Sequence, residues 1–305
     1  MHLNNILVTG GNGLVGRQFI GDEYTKISSK DIDLREKTEV DALFKSNNFD
    51  GVIHCAAKVG GLGSNMNYKG EFFYDNISIN TNVIECARKY GIKQLVGFLS
   101  TCIFPDNSAY PLTEKMIHLG EPHSSNYAYA YAKRMIDVQI RAYREQYDIK
   151  YTSVIPTNIY GIGDNFSLDN GHVIPTLIHK MYNAQMNNSP MVVWGSGEPL
   201  REFIYSKDVA LLTRWILDKY DDSEPIILSP SEEISIKDIV YILADEFKFT
   251  GDIIFDKTKN DGQLRKPSNN LKLNTIINNV TFTPIRTGIH ETVNWFKDNY
   301  NIARK

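Results

Sequence analysis

The chain is predicted to be an α/β protein: a doubly wound parallel sheet followed by a smaller C-terminal lobe. Three observations carry that expectation. Short continuous apolar runs alternate with helical patterns over the first half of the sequence, a glycine cluster closes the first run, and the regularity breaks up beyond Asn158. The 305 residues, 42% of them hydrophobic, suffice for one large domain or two coupled ones. The expected division is a first domain over residues 1–160, to which the chain returns near 200–220, and a second lobe over 161–305.

Ile6 to Thr9 is apolar and β-branched and stops at GGNGLVG, after which the pattern becomes helical through about Asp22. A second short strand is expected over Thr25 to Ser28 and a helix over Glu39 to Lys45. GVIHCAA, Gly51 to Ala57, has the unbroken apolar character of a strand covered on both faces. A helix follows over Ile79 to Tyr90, with Gly91 as its C-terminal cap. QLVGFLS, Gln94 to Ser100, is the next strand, Tyr129 to Tyr147 the next helix, and YTSVIP, Tyr151 to Pro156, a further strand. Strands joined in this way by helices pair in parallel. Past Asn158, the loops GIGDNFSLDNG and GSGEPL interrupt helices near Val173 to Tyr182, Lys207 to Lys219 and Ile236 to Glu246.

The net charge is only -3 and the basic residues are scattered, so neither a nucleic acid nor a membrane surface is an expected partner. MHLNN runs straight into the first strand, no apolar run approaches the ~20 residues of a membrane span, and the cytoplasm is the expected location. Cys55, Cys86 and Cys102 are odd in number and lack a CxxC spacing, so neither a disulfide framework nor a zinc site is expected. A small molecule is the expected partner.

VTGGNGLVG satisfies two spacings at once, Gly10, Gly13, Gly16 as GxxGxxG and Gly11, Gly13, Gly16 as GxGxxG. Glycines let backbone amides approach a pyrophosphate, and a helix opening there offers its positive end to the same charge. The strand before and the helix after supply the context that a bare glycine spacing lacks; the alternative is a structural turn. SSKDIDL, after the second strand, leaves the cofactor type open. An acid there would hold the ribose hydroxyls of NAD, whereas Lys30 or the serines would receive the extra phosphate of NADP.

NYAYAYAKRM, Asn126 to Met135, sets three tyrosines at alternate positions ahead of one lysine. Alternation suggests a strand, but Ala132, Ile136, Ile140, Tyr143 and Tyr147 continue at three- and four-residue spacing, which is helical. Ser124 to Asn126 offer capping side chains. On a helix, residues four apart lie about 40° apart around the axis and residues two apart about 160°. Tyr129 therefore shares a face with Lys133, Tyr131 points away, and Tyr127 stands near the helix start. A tyrosine with its ordinary pKa of ~10 needs a neighbouring cation to exchange protons near neutrality, and Lys133 is one turn away. The bland alternative is a ring packed on a lysine stem. Ser100, at the end of the preceding strand, favours the chemical reading.

TGGNGLVG, YAYAK, PTNIYG and REFIYSKDVA stand in order along nearly the whole chain, which thereby resembles the extended short-chain dehydrogenase/reductases. In that family Ser, Tyr and Lys act together over a nicotinamide on a Rossmann sheet. STCIFP, CAAKVGG, GHVIP, VVWGSGEPLREF and DGQLRK resemble, more narrowly, its GDP-L-fucose synthase branch. Dehydratases of the family carry an Asp-Glu pair after the threonine, where this chain has Cys102 and Ile103.

The resemblance implies NADPH, with NADH as the alternative, and a GDP-linked 4-keto-6-deoxy sugar, hexose or heptose. The ketone at C4 is reduced after epimerisation at C3 and C5. Ser100, Tyr129 and Lys133 would serve the reduction, Cys102 would be the base beside the ketone, and His172 the acid on the opposite face. The chemistry is coherent, because a ketone acidifies its flanking C–H bonds and Ser100 with Tyr129 can hold the developing enolate oxygen. Tyr129 would then protonate the C4 alkoxide.

Implied cofactor contacts come from Gly10, Gly11, Asn12, Gly13, Leu14, Val15 and Gly16 in the turn, and from Lys30 after the second strand. Ala56, Ala57 and Lys58 would follow from the third strand, Tyr129 and Lys133 from the helix, and Pro156, Asn158 and His172 from further on. Implied substrate contacts are Trp194, Arg201 and Lys266, with Asn158 and Val173 lining the pocket; a planar guanidinium suits a diphosphate. The plain alternatives are a core tryptophan for Trp194 and a small buried hydrophobe for Cys102. His54 is expected to be structural.

Two departures stand out. Asn12 occupies a position where fucose synthases commonly carry a basic residue, and DNSAYPLTEKMIHLGEPHSS is short for that branch, which leaves room for a heptose. Two rival readings remain: a C4 reductase that does not epimerise, and a dinucleotide-sensing protein without turnover, against which the retained Ser100, Tyr129 and Lys133 argue. Relatives pair as homodimers through two helices, here Ile79 to Tyr90 and Tyr129 to Tyr147, and capsule or other surface polysaccharide is the implied destination of the sugar.

Overall fold

Every residue of β1 (Ile6–Thr9) is buried in the computed structural model, which describes residues 3–305. Met1 and His2, the beginning of the segment expected to run straight into this strand, lie outside the described residues. β2 (Tyr24–Ile27), α1 (Lys37–Ser46), β3 (Gly51–His54), α2 (Leu62–Asn67), α3 (Lys69–Lys89), β4 (Gln94–Phe98), α4 (Tyr127–Gln146) and β5 (Lys150–Pro156) follow. Next come β6 (Asn158–Tyr160), α5 (Val173–Met186), β7 (Met191–Trp194), β8 (Leu200–Tyr205), α6 (Ser206–Lys219) and β9 (Ile226–Leu228). The chain ends with β10 (Glu233–Ser235), α7 (Ile236–Phe247), β11 (Ile253–Asp256), α8 (Leu271–Ile276) and α9 (Ile285–Asp298).

Two units form. The first holds Met1–Ser108, Thr113–Pro156 and Lys207–Leu228, the second Ala109–Leu112, Thr157–Ser206 and Ser229–Lys305. In the first unit the sheet order is β2-β1-β3-β4-β5-β9, all neighbours parallel. The winding direction reverses between β1 and β3, so their carboxyl ends flank the crevice where open α/β sheets bind ligands. β3 is buried at every residue, as a strand covered on both faces must be. α4 buries Ala132, Ile136 and Ile140, the first three residues of the stripe anticipated from their spacing, and half-buries the last two, Tyr143 and Tyr147. Each fully buried isoleucine there contributes about 1.5–3 kcal/mol.

Several elements depart from expectation. The helix expected through Asp22 is only a 3₁₀ turn, Gly16–Gln18. Gly21, at φ +144°, breaks the chain before another turn can form, and β2 begins three residues later. α3 starts at Lys69 rather than Ile79, because buried Asp75, Asn76 and Asn80 interrupt the apolar period that would have revealed it. β3 stops at His54 and β4 at Phe98, short of Ala57 and Ser100, so the residues just beyond leave the sheet. α4 begins at Tyr127 with no side-chain cap; the Ser125 hydroxyl instead pairs with His123 Nδ1 at 2.8 Å. Gly91 does end α3, at φ +77°, and the Ile92 amide reaches back to the Ala87 carbonyl at 2.9 Å.

The second unit holds a three-stranded sheet, β10-β8-β6, and a parallel pair, β11-β7. β8 runs antiparallel to β10 and parallel to β6. Its core joins Ile178 and Met181 of α5, Ile239 and Leu243 of α7, and Ile289, Val293 and Phe296 of α9.

Candidate active site

The glycine turn is shaped by close backbone approach. Gly10 has φ +70°, and a Cβ on Gly16 would stand 2.2 Å from the Gly10 carbonyl oxygen. The turn closes with the Gly13 amide on the Gly10 carbonyl at 2.8 Å and docks on β2 through the Gly11 amide and the Ile27 carbonyl at 2.7 Å. The backbone packs too closely here for any side chain at Gly16, and the amides of the turn other than those of Gly11 and Gly13 fit a dinucleotide pyrophosphate. The 3₁₀ turn behind it is too short to add a helix dipole. Asn12 is exposed, Val15 is buried, and Gly13 and Leu14 lie between.

Beyond β4 the chain makes a 3₁₀ turn, Thr101–Ile103, capped by the Ser100 hydroxyl, which accepts a long 3.5 Å bond from the Cys102 amide. Ser100 and Cys102 are both half-buried. α4 packs against this turn and brings Tyr129 and Lys133 to it. The Lys133 ammonium is buried, donates to the Phe98 carbonyl at 2.8 Å and lies 5.9 Å from the Tyr129 ring centre. Tyr129 packs edge-on against Phe72 of α3, ring centres 6.3 Å apart. Burial first, and the charge of Cys102 second, hold the Tyr129 phenol above its ordinary value, so it keeps its proton. Burial pushes Lys133 down to about 8, against the opposing pull of Cys102 and Cys55. Tyr131 lies beneath the Arg134 guanidinium at 5.3 Å, and the Lys69 ammonium sits 5.3 Å from the exposed Tyr127 ring.

Under this group runs a buried chain of hydrogen bonds. Asn80 Nδ2 donates to the Ala132 carbonyl at 3.3 Å, which turns Asn80 Oδ1 to His54 Nε2 at 3.0 Å. An oxygen there requires the proton on Nε2, so Nδ1 accepts from the Thr9 hydroxyl at 2.8 Å, and Thr9 Oγ1 accepts from the Ala56 amide at 3.1 Å. Burial first, and Lys133 second, push His54 down to about 3, so it stays neutral. The chain ties β1, β3, α3 and α4 together behind the site; sequence reasoning gave His54 a structural place but named neither Thr9 nor Asn80.

Ala56, Ala57 and Lys58 form the loop after β3. The loop is pinned by Asn76, which accepts from the Lys58 amide and donates to its carbonyl, both at 3.0 Å. The Lys58 ammonium is taken by Glu71 at 2.8 Å and Asp75 at 2.7 Å. Lys30 is exposed, and the nearby Ser28 hydroxyl donates to Asp31 at 2.7 Å. Pro156 is buried at the end of β5.

The second unit holds the remaining candidates. Asn158 donates its amide to the Glu202 carbonyl at 2.8 Å, and Val173 is exposed at the start of α5. His172, the N-cap of α5, keeps solvent access; burial first and Arg304 second push its pKa down. Trp194 is 67% exposed, which removes the core-tryptophan alternative, and two ammonium groups flank its ring, Lys180 at 4.8 Å and Lys259 at 5.9 Å. Neither lysine was legible as a partner, since nothing in sequence links three residues so far apart. Burial lowers the pKa of Arg201, whose Nη1 donates to the Leu200 carbonyl at 2.7 Å. Lys266 is half-buried next to Pro267, whose carbonyl receives the Leu112 amide at 2.9 Å.

The NAD dependent epimerase/dehydratase family model matches residues 6–228. The chain belongs to that family. Among its curated relatives, the GDP-L-fucose synthase of Dictyostelium discoideum is 50% identical over 98% of this chain and 97% of its own length. A probable GDP-L-fucose synthase of Drosophila melanogaster is 42% identical over 99% of this chain and its entire length. A crystal structure of a GDP-L-fucose synthetase from Naegleria fowleri bound to NADP superposes with TM-score 0.95 at 44% identity, covering 99% of this chain and 95% of that one. The Rossmann-type fold of this epimerase/dehydratase family member is thus shared with a protein solved with NADP.

Proposed function

We propose that this protein reduces the C4 ketone of a GDP-4-keto-6-deoxy sugar with NADPH, after epimerising the sugar at C3 and C5. The observation that carries this reading is Ser100, Cys102, Tyr129 and Lys133 gathered at the carboxyl end of β4 in a chain half identical to a GDP-L-fucose synthase. The first unit is assigned to the dinucleotide and the second mainly to the sugar nucleotide.

Bound NADPH supplies the hydride for C4. Within Gly10 to Gly16, the backbone amides not spent inside the turn would hold its pyrophosphate, and Ala56, Ala57 and Lys133 would contact the rest of it. Cys102 takes the proton from the carbon beside the ketone, while the Ser100 hydroxyl and the Tyr129 phenol donate to the ketone oxygen as it gains charge. Tyr129, still protonated because of burial and of Cys102, then passes its proton to the C4 oxygen. Lys133, fixed by the Phe98 carbonyl, stabilises the phenolate left behind. His172 returns a proton to C3 or C5; its lowered pKa makes its charged form a stronger acid and a scarcer one near neutrality. Trp194 between two lysines, with Arg201 and Lys266, suits a stacked base and a diphosphate.

The test is turnover of a GDP-4-keto-6-deoxy sugar with NADPH in heavy water. Deuterium is expected at C3 and C5 of a C4-reduced product. A product reduced at C4 with no deuterium at either carbon would leave a reductase that does not epimerise. We further assign a homodimer through α3 and α4, which expose Phe73, Tyr74, Met135 and Val138, a cytoplasmic location, and a product destined for surface polysaccharide. No helix of the described residues is long and apolar enough to cross a membrane.

A further inference from the structure

The residue after Lys133 on α4 is Arg134, and it is only 4% exposed. Its Nε donates to the Ile103 carbonyl at 2.6 Å and its Nη1 to the Gly120 carbonyl at 2.7 Å. Nη2 is buried and makes no hydrogen bond. Both of its hydrogen bonds go to neutral carbonyls, and the ionisable groups that act on it are Tyr131, on its own helix, and Cys102, in the turn it grips; the buried carboxylate of Asp137, three residues on, is engaged by His118 and Arg141. A guanidinium cannot lose its proton in a protein, so burying it against two neutral carbonyls is costly unless an anion forms nearby. Tyrosine is neutral at physiological pH, which leaves the thiol of Cys102 as the group able to supply that anion.

We propose that Arg134 is a positioning residue for Cys102: two of its nitrogens clamp the 3₁₀ turn and the loop beyond it, and its uncompensated charge favours the thiolate form of that cysteine. The inference rests on the reading of Cys102 as the base. A thiolate accepts the C–H proton and becomes a thiol, so the proton is balanced within the step, and Arg134 changes no bond. Tyr129 and Lys133 of α4 also act with Cys102, and Cys55, which acts on Lys133, is pushed up to about 12 by burial. Lys133 is committed to the Phe98 carbonyl and sits under Tyr129, whereas Arg134 is bonded to the residue next to Cys102 itself.

The test is the pH dependence of Cys102 alkylation by iodoacetamide in the full chain, resolved by peptide mass spectrometry so that Cys55 and Cys86 are counted separately. The wild-type midpoint is expected below the ordinary cysteine value of about 8.5. Arg134→Gln should raise it by about one unit or more, cutting the rate at neutral pH roughly tenfold. Arg134→Lys, which keeps the charge, should restore most of that rate. A wild-type midpoint at or above the ordinary value overturns the proposal even if Arg134→Gln fails to fold. So does an unmoved midpoint in Arg134→Gln, or equal losses in both variants at unchanged melting temperature. If the midpoint moves as expected but no deuterium enters C3 or C5, Cys102 is not the base while its coupling to Arg134 stands. If deuterium enters and the midpoint does not move, only the coupling fails.

Discussion

Tyr129→Phe lowers the rate of hydride transfer by between about a hundredfold and ten-thousandfold, the range over which a positioned proton donor contributes. The ring remains, so its edge-on packing with Phe72 is kept and only the phenolic proton is lost. Tyr127→Phe and Tyr131→Phe keep most of the activity, because the first faces Lys69 at the exposed helix start and the second only supports the Arg134 guanidinium. Single-turnover oxidation of NADPH, followed by its absorbance, measures all three. Similar rates across the three variants would sink the assignment of one face of α4 to catalysis. The same assay has a predicted alkaline limb. Lys133 carries its charge below a pKa of about 8 and loses it above, so kcat/KM should fall as pH rises through that value. A flat profile from pH 7 to about 9.5 would remove the lysine from the reaction.

Gly16→Ala abolishes cofactor binding and lowers the melting temperature. The added methyl would stand 2.2 Å from the Gly10 carbonyl oxygen and 2.8 Å from the Gly11 Cα, and backbone atoms cannot swing aside as a side chain can. Overpacking of this kind costs about 1–3 kcal/mol and occasionally more, and relief by opening the turn would scatter the amides proposed to bind the pyrophosphate. Gly70→Ala, at a site with nothing within 4 Å, is the matched control and should leave both properties intact. NADPH fluorescence titration and thermal unfolding read the two effects; normal cofactor affinity in Gly16→Ala would mean that the turn is not the pyrophosphate cradle.

Five of the six strands of the parallel sheet were legible, β1, β3, β4 and β5 because they are largely apolar runs, whereas β9, three residues long, was not read; the tyrosine face was legible because a helix has one period. What escaped sequence reasoning escaped for physical reasons. α3 buries Asp75, Asn76 and Asn80, so half of it looks polar. Asn80 is buried because His54 and the Ala132 carbonyl satisfy its amide, and such partners, at sequence separations of 26 and 52, leave no local pattern. Nothing local marks Arg134 as interior; its burial and its bonds to the Ile103 and Gly120 carbonyls appear only in three dimensions. Of Ser124 to Asn126, Asn126 takes the N-cap position but makes no side-chain cap bond, and the Ser125 hydroxyl pairs with His123 instead. The short strands β6, β7, β8, β10 and β11 lie among Gly- and Asn-rich loops, where three to six residues give too brief a signal.

The abbreviated connection between β1 and β2 bears on how long the coenzyme stays. A full helix at that position would add about 0.3–1 kcal/mol to the binding of an anion at its tip. Forgoing it costs at most roughly fivefold in affinity, since 1.4 kcal/mol is tenfold. A reductant spent once per sugar must depart as often as it arrives, and the missing dipole loosens the reduced and oxidised forms alike. The same economy of chain that shortens this connection therefore favours rapid exchange of spent coenzyme over tight retention.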